Sequence, residues 1–339
     1  MLQPYASNLP TAVRDTDQIN RELCAGTRHI APDFILITYD IVRLYPSIPH
    51  SLCFDLLLEF LHSQTCKYAE LIASALKVIL RHTITYCLFD GDVFQQIIGF
   101  ATGISCGAEV ANIFIFALTA AVFARYARYI AYHRRVIDDG FLLWTGTRAM
   151  ALAMFAELNA INRNIQMTFD ISAYKAIFLD LTITKGAGFL SSRVLDTQTF
   201  QKAINKYLYT PFLSEHPLHC FTGLVHGEVI RYIKRYSHFR FFLHIMRLFK
   251  ARLRLRGYTA KFLADAFKTA RRYKDRSKLL NPVRKDTNLP SLVFSTTFSR
   301  LKREAGLTRA VFLHRHMLPS KFDGVKFIIA HKAGRKLGG

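Results

Sequence analysis

The stretch RRVIDDGFLLW, residues 134–144, places two carboxylates side by side between apolar segments. Asp and Gly favour tight turns, so one interpretation is an ordinary hairpin whose turn is Asp138-Asp139-Gly140. The other is that Asp138 and Asp139 hold a divalent cation, because two adjacent carboxylates at a buried hairpin tip otherwise repel each other. The second interpretation requires a further carboxylate from elsewhere in the chain.

The segment FILITYD, residues 34–40, supplies a candidate partner for this pair. It is a short apolar run that ends in a carboxylate, which predicts a buried strand with Asp40 at its end. If this strand lies beside the hairpin, Asp40 and Asp138 converge at one edge of the sheet. Two hard cations about 3.5–4 Å apart could then be held by carboxylate oxygens, as in two-metal phosphoryl transfer.

The composition fits a polyanionic partner. The 339 residues are enough for two domains, 51% are apolar, and 46 Lys and Arg against 24 Asp and Glu leave a net charge of +22. From Arg231 onward, basic clusters recur and most are interleaved with Tyr and Phe, which favours nucleic acid over a membrane surface. The alternative for any single cluster is a solvated basic face on a helical bundle.

Other sequence features predict an intracellular protein without a membrane span. The longest apolar run, residues 111–124, is 14 residues long, whereas a bilayer requires roughly 20. The N-terminal residues lack the basic-then-apolar pattern of a secretory signal. The six cysteines form no C-x-x-C pair, so we expect reduced thiols and no zinc site.

The hydrophobic pattern is that of a mixed chain of helices and strands. Helices are predicted at 50–63, 69–83, 107–129 and 150–162, hairpins at 84–99 and 135–144, and strands at 34–40, 165–171 and 176–184. Asp90-Gly91 is the expected turn of the first hairpin, and the chain after about residue 205 is expected to be mostly helical. A change in charge near residues 185–195 separates a more neutral part from a basic part.

Three of these segments resemble, in order, motifs A, B and C of a reverse transcriptase palm: ITYDIVRLYPSIPH (37–50), QQIIGFATGISCGAEVANIF (95–114) and the hairpin stretch. The closest resemblance is to the Penelope-like retroelement group. IQMTFDI and AIFLDLTITKG resemble its motifs D and E, while NKYLYTPFLSEHPLHC, HGEVIRYIKRYS and RLRLRGY resemble its thumb. Gly140 departs from the pattern, since relatives carry a β-branched or apolar residue there.

The resemblance implies an α+β fold. Residues 1–190 would form a polymerase right-hand palm, an antiparallel sheet backed by helices. Residues 191–339 would form a mainly helical, basic thumb with a C-terminal extension.

The resemblance also implies a metal site. Asp40 and Asp138 would hold two Mg²⁺ ions, with Mn²⁺ as a substitute, and Asp139 would lie beside them. The carbonyl of Ile41 would add a backbone ligand.

Further residues of the palm would contact the substrates. Tyr45 matches the bulky side chain that excludes a ribose 2′-hydroxyl, although a core tyrosine is the alternative. Gly103 would let the backbone approach the incoming base pair, because glycine lacks a Cβ. Phe178, Leu179 and Asp180 would form a primer-holding hairpin, with an ordinary core strand as the alternative for the first two.

In the thumb, Arg231, Arg252 and Arg256 would follow the template–primer backbone. The expected function is therefore an RNA-directed DNA polymerase with an RNA template, a DNA primer and a dNTP as partners, and with no membrane and no stable protein partner. A nuclear location is expected from the resemblance alone. The alternative is a catalytically dead remnant that still binds nucleic acid.

The fingers motifs of the family, which grip the triphosphate, are not found in the 39 residues before Asp40. Arg14, Arg21 and Arg28 are the only Lys or Arg residues there. We therefore expect a truncated reading frame that binds template–primer but extends it weakly or not at all.

Overall fold

The computed structural model describes residues 2–27, 30–79, 86–96, 98–100, 106–281, 291–297 and 326–332. The chain forms two compact units, Met1–Gln201 and Lys202–Gly339. The first unit extends to Gln201 rather than to residue 190, because a strand at Asp196–Thr199 pairs with the sheet before it.

The described residues of the first unit contain eight α-helices: α1 Gln3–Ser7, α2 Thr16–Cys24, α3 Leu44–Ser47, α4 His50–Ser63, α5 Ala69–Ile79, α6 Gly107–Arg125, α7 Arg148–Ile161 and α8 Phe189–Ser192. The predicted helices near 50–63, 69–83, 107–129 and 150–162 are confirmed as α4 to α7. Asp15 caps α2 and Thr147 caps α7, each accepting a hydrogen bond from a backbone N–H of the first turn.

The main sheet of this unit has the strand order β4-β5-β1-β6, with β1 at Ile35–Ile41, β4 at Ile130–Val136, β5 at Asp139–Trp144 and β6 at Met167–Ser172. All its pairings are antiparallel. Strand β1 is therefore central, which accounts for its apolar sequence, since most of its side chains are buried on one face or the other.

Each face of the sheet contributes to a different hydrophobic core. Ile37, Tyr39 and Ile41 pack with α4, α6 and α7. Leu36 packs with α2, with Phe141 of β5, and with residues of the second sheet described below. This division follows from the alternation of side chains along a strand. Edge strand β4 is covered at Arg135 by a bridge to Ala12, which protects its backbone from pairing with other chains.

Helix α6 is the central helix of the first core. It has 19 residues, and Val110, Ala111, Ile113 and Phe114 are among its buried side chains. Of the helices described, only α6 meets the length and composition of a membrane span. Its first half is largely buried in the core, whereas Ala120, Ala121 and Ala124 in its second half are exposed, and 44% of the apolar window is buried.

A second antiparallel sheet of three strands contains β7 (Lys175–Phe178), β8 (Leu181–Thr184) and β9 (Asp196–Thr199). The prediction of one continuous strand at 176–184 is wrong, because the chain reverses at Leu179 and Asp180. Leu179 is not typical of a tight turn, and it adopts a left-handed φ of 56°.

A separate hairpin pairs β2 (Tyr86–Phe89) with β3 (Asp92–Gln95). Its turn is Asp90-Gly91, as predicted, and both residues have positive φ angles, 51° and 86°. This is the backbone that a two-residue hairpin turn requires, and Asp-Gly is suited to it.

The second unit contains α9 Leu218–Arg235, α10 Phe239–Leu255, α11 Ala260–Ala266, a 3₁₀ segment Phe267–Asp275 and α12 Arg276–Leu280. Its core includes Phe221, Tyr232, Phe249 and Tyr258. The helical prediction for this part is confirmed up to Leu280. It is wrong further on, where β10 (Ser291–Thr297) and β11 (Lys326–Lys332) form a parallel pair; both are rich in the β-branched and aromatic residues that favour strands.

The cysteines with described side chains form no disulfide: Cys24, Cys53, Cys66, Cys106 and Cys220.

Candidate active site

The hairpin of the opening stretch has a turn different from the predicted one. Val136 pairs with Asp139, so the turn consists of Ile137 and Asp138, while Asp139 already belongs to β5. The prediction of a turn at Asp138-Asp139-Gly140 is therefore wrong, because the turn lies one to two residues earlier. The reason lies in Ile137, which adopts a left-handed φ of 54° despite its branched Cβ.

This turn meets the end of β1. The backbone N–H of Ile41 donates a hydrogen bond to the carbonyl of Asp138 at 3.2 Å. Tyr39 pairs with Gly140, and continuing the register by one residue places Asp40 beside Asp139. The structure thus brings Asp40 together with Asp138 and Asp139, which are adjacent to each other but far from Asp40 in the sequence.

The electrostatics of Asp40 reflect this proximity. Partial burial raises the pKa of its carboxyl above 3.8, and the negative charge of Asp138 raises it further. Among the residues described, no Lys or Arg forms an ion pair with either carboxylate. The repulsion between Asp40 and Asp138 is what a bound cation would relieve.

Asp40 and Asp139, but not Asp138, line a pocket of about 340 Å³. It is lined by Thr38, Tyr39, Asp40, Asp139, Gly140, Thr168, Phe169, Asp170, Ile177 and Phe178. The pocket therefore lies between the main sheet and the hairpin β7–β8. It contains one carboxylate that the sequence did not single out, Asp170.

Asp170 reaches this pocket through the pairing of β6 with β1. Thr38 pairs with Asp170 and Asp40 pairs with Thr168, so these four side chains share a face of the sheet. Side chains alternate between the two faces of a strand, so the strand predicted at 165–171 could have placed Asp170 on the same face as Asp40. This would have required knowing that the strand pairs with β1.

The side chain of Tyr39 lies on the face of the main sheet opposite to that of Asp40. Its hydroxyl is 2.8 Å from Nε2 of His133, and its ring packs on Phe123 and Phe155. Burial, with Arg135 and Arg134 nearby, lowers the pKa of His133 to about 3. His133 is therefore neutral at physiological pH and can accept the hydrogen bond from the Tyr39 hydroxyl.

Tyr45, in the short helix α3, lies within electrostatic reach of the site. Burial raises the pKa of its phenol, and the charges of Asp138 and Glu109 raise it further. Its backbone carbonyl accepts a hydrogen bond from Phe100 at 2.7 Å. Tyr45 is half-buried at the edge of the first core, so both interpretations of this residue remain compatible with its position.

The loop predicted around Gly103 is flanked by described residues, up to Phe100 before it and from Cys106 after it. Gly103 lies outside the described residues. Just before it, Gly99 has φ 85°, and a Cβ there would lie 2.5 Å from the backbone of Pro46. The N–H of Gly99 also donates to Ile48, which fixes the start of the loop against α3.

The predicted primer hairpin lies beside the carboxylates. Phe178 is buried, stacks on Phe141 with ring centroids 5.5 Å apart, and lines the pocket. Leu179 and Asp180 form the turn, where the Asp180 carbonyl accepts a hydrogen bond from Phe200 at 2.7 Å. Phe178 thus serves the core and the pocket together.

In the second unit, the three predicted phosphate-binding arginines have partners within the unit. Arg231 forms an ion pair with Glu228. The guanidinium of Arg252 lies 3.4 Å from the ring centroid of Tyr207, and Nε of Arg256 donates to the carbonyl of Tyr209 at 2.7 Å. Their role in nucleic-acid binding stays a prediction.

Other cations of this unit are more exposed. Helix α10 carries Arg240, Arg247 and Arg254 at seven-residue intervals on its exposed surface, with Lys250 nearby. Seven residues are almost two helical turns, so the three arginines form a stripe along the helix. We call these four residues the α10 basic stripe.

No group of three or more His, Cys, Asp or Glu within the described part of the chain is arranged to hold a metal ion by itself. Mg²⁺ is usually held by one or two carboxylates together with substrate phosphates and water, rather than by a cage of protein ligands. The Asp40–Asp138 pair fits that requirement, because the two carboxylates lie close together and, within the described residues, neither forms an ion pair with Lys or Arg. The expected role of the Ile41 carbonyl stays a prediction.

Comparison with known proteins gives matches to parts of the chain. Residues 208–268 match the family described as the animal helix-turn-helix domain. None of the curated proteins matches the chain.

Among solved structures, the chain is similar to telomerase from Candida albicans, solved in complex with a TWJ fragment of telomeric RNA. The identity is 9%, the TM-score is 0.52, and the match covers 82% of this chain and 52% of that one. It is also similar to the BmCPV RNA-dependent RNA polymerase at elongation state, with 12% identity, a TM-score of 0.50 and coverage of 74% and 23%.

The chain thus spans about half the length of that telomerase chain. At such low identity the similarity concerns the fold and not the activity. The chain has the polymerase-like fold of a palm, an antiparallel sheet backed by helices, followed by a mainly helical thumb.

Proposed function

We propose that this chain is the palm and thumb of an RNA-directed DNA polymerase of the Penelope-like type, which joins nucleotides by two-metal chemistry. The observation that carries the proposal is the meeting of Asp40 and Asp138 through the Ile41–Asp138 hydrogen bond, beside an open pocket. The order and spacing of the motifs support the reverse transcriptase assignment over other polymerases. An RNA template, a DNA primer and a dNTP are the proposed partners.

Asp40, Asp138 and Asp139 would hold the two Mg²⁺ ions. When bound, these ions supply the positive charge that activates the primer 3′-hydroxyl and stabilises the negative charge developing on the α-phosphate and pyrophosphate. For this the carboxylate of Asp40 has to be ionised. The turn at Ile137 and Asp138 fixes the second carboxylate relative to the first.

Other residues of the pocket would orient the substrates. Tyr45 would exclude the 2′-hydroxyl of a ribonucleotide, consistent with a phenol close enough to Asp138 to be influenced by its charge. Phe178 and the β7–β8 turn would hold the primer end at the pocket that contains Asp40.

In the second unit, the α10 basic stripe would bind the phosphate backbone. Its cations are exposed, whereas Arg231, Arg252 and Arg256 are partly buried. Phosphate contacts of this kind position a protein on nucleic acid without reading its sequence.

The test is primer extension on an RNA template with Mg²⁺ and dNTPs, comparing the wild-type chain with Asp40→Asn and Asp138→Asn. Each variant loses a ligand charge worth several kcal/mol in the transition state, so extension should fall roughly a hundredfold or more. Asp55→Asn, on the exposed surface of α4, is the matched control and should retain activity. Extension by either site variant at the wild-type rate would contradict the proposal.

Binding of template–primer without extension is expected both for a polymerase that lacks its fingers and for a catalytically dead protein; Mn²⁺ binding that Asp40→Asn abolishes would then favour the polymerase. Binding is therefore measured on the same samples.

A further inference from the structure

Arg135 is a buried cation next to the catalytic turn, with 3% of its surface exposed. One terminal nitrogen donates hydrogen bonds to the carbonyl of Ile137 at 2.6 Å and to Oδ1 of Asn112 at 3.0 Å. The other donates to the backbone carbonyl of Asn112 at 2.8 Å. The guanidinium therefore connects the turn to helix α6.

The turn needs such a support because of its backbone. Ile137 has a φ of 54°, a left-handed conformation that a β-branched residue rarely adopts. Such a conformation persists only where the surrounding structure holds it. The Ile137 carbonyl is held by Arg135, and the next carbonyl, that of Asp138, is held by the N–H of Ile41.

The backbone of Arg135 is fixed as well. Its N–H donates to the carbonyl of Thr11 at 2.7 Å, and its carbonyl accepts from Val13 at 3.3 Å. The side chain thus projects from a strand that is anchored on its outer edge. A planar guanidinium with several donors can bind two segments together in a way that an ammonium cannot.

The charge of Arg135 also acts on the site. Burial lowers its pKa, and the neighbouring Tyr39 and Asp138 raise it again. A guanidinium stays protonated in proteins, so Arg135 places a permanent positive charge close to Asp138.

We propose that Arg135 is a positioning residue for Asp138: its guanidinium ties the Ile137–Asp138 turn to α6 and so fixes the carboxylate opposite Asp40. The structural part of this inference rests on the contacts above. Its catalytic meaning rests on the proposed function.

The structural part is tested by amide hydrogen exchange in the full chain. The amide of Ile41 is the probe, because it donates to the Asp138 carbonyl. Arg135→Gln should speed its exchange roughly tenfold through loss of the bonds that hold the turn. Arg134→Gln is the matched control, since Arg134 is the neighbour on β4 but pairs with Glu22; it should change the exchange of Ile41 less than about twofold.

Exchange at Ile183, in β8 of the second sheet, reports whether the fold as a whole is retained. If Arg135→Gln does not fold, Arg135→Lys replaces it, because it keeps the charge and loses the planar fork. Faster exchange at Ile41 with unchanged exchange at Ile183 supports the proposal. Exchange at Ile41 equal to that of Arg134→Gln overturns it.

The catalytic part is tested by Mn²⁺ titration followed by electron paramagnetic resonance. Loss of a residue that orients a metal ligand typically weakens binding about 10–100-fold, which we expect for Arg135→Gln and not for Arg134→Gln. Equal affinity in the two variants would overturn the effect of Arg135 on the metal site. A wild-type chain that binds no Mn²⁺ would instead overturn the proposed function, and the exchange data would still decide whether Arg135 holds the turn.

Discussion

The ring of Tyr39 lies directly over Gly140, its partner in the neighbouring strand. A Cβ at position 140 would lie 2.0 Å from Cζ and 2.1 Å from Cε1 of that ring. Gly140 departs from the residues that relatives carry there, and the structure supplies a physical reason. Tyr39 occupies the space that a side chain at position 140 would need. Tyr39 directly precedes Asp40, and Gly140 directly follows Asp139.

We predict that Gly140→Ala lowers the free energy of unfolding of the first unit by about 1–3 kcal/mol, the usual result of overfilling a packed core. Urea unfolding at neutral pH measures it. Gly188→Ala is the control, because nothing lies within 4 Å of a Cβ at that position. Combining Gly140→Ala with Tyr39→Leu should recover part of the loss, and a purely additive double variant would contradict the steric explanation.

The coupling of Asp40 to Asp138 can be measured by carbon-13 NMR titration of the carboxyl groups. Burial and the charge of Asp138 both raise the pKa of Asp40. Asp138→Asn should therefore lower this pKa toward 3.8 without reaching it, since burial remains. Asp55→Asn should leave it unchanged. An Asp40 pKa that does not respond to Asp138→Asn would show that the two carboxylates are not neighbours.

The same shift has a consequence for stability. A carboxyl with a raised pKa binds its proton more tightly in the folded state, so ionisation of Asp40 weakens folding as pH rises above 3.8. We therefore predict that Asp40→Asn leaves the metal-free protein at least as stable as the wild type at pH 7. Thermal unfolding in the presence of a chelator measures this, and a large loss of stability would contradict it.

His133 should make the first unit sensitive to acid. Its pKa falls from 6.5 to about 3 on folding, so its contribution to stability is complete above pH 6.5 and is lost as pH falls toward 3. At pH 5 the loss is up to about 2 kcal/mol. In His133→Phe this component is absent, so the change in unfolding free energy between pH 7 and pH 5 should be smaller. An unchanged pH dependence would contradict the prediction.

The α10 basic stripe should determine the salt dependence of nucleic-acid binding. Arg247→Gln with Lys250→Gln should weaken the binding of duplex and reduce the slope of log K against log salt by up to about 2, or roughly 0.9 for each lost phosphate contact. Fluorescence anisotropy at several salt concentrations measures the slope. Lys268→Gln is the control, since Lys268 lies outside α10 and is paired with Asp265. An equal reduction in the control would mean that the stripe has no special role.

Sequence patterns predicted the elements around the site because those elements have clear periodicity. Strand β1, helix α6 and the paired hairpin strands around Asp138 follow from runs of apolar residues that are long or strictly bounded. The resemblance to a polymerase palm then indicated which carboxylates would meet. Neither the apolar runs nor the resemblance depends on how individual side chains pack.

Two turns, at Ile137-Asp138 and at Leu179-Asp180, were not predicted correctly from the sequence pattern, whereas the Asp90-Gly91 turn was. Ile137 and Leu179 both adopt left-handed backbone conformations that their side chains disfavour. Tertiary contacts impose these conformations, as the bond from Arg135 to Ile137 illustrates. Asp170 and Arg135 were missed for a related reason, because their roles depend on which strands and helices lie next to them.

The position of β1 in the main sheet constrains how the protein is made. The central strand is the first of the four to be synthesised, and its partners at residues 139–144 and 167–172 follow much later. Such distant pairing makes folding slow and leaves the early strand without its neighbours. During translation, the edges of β1 therefore stay available to chaperones, or to other nascent chains, until Ser172 has left the ribosome.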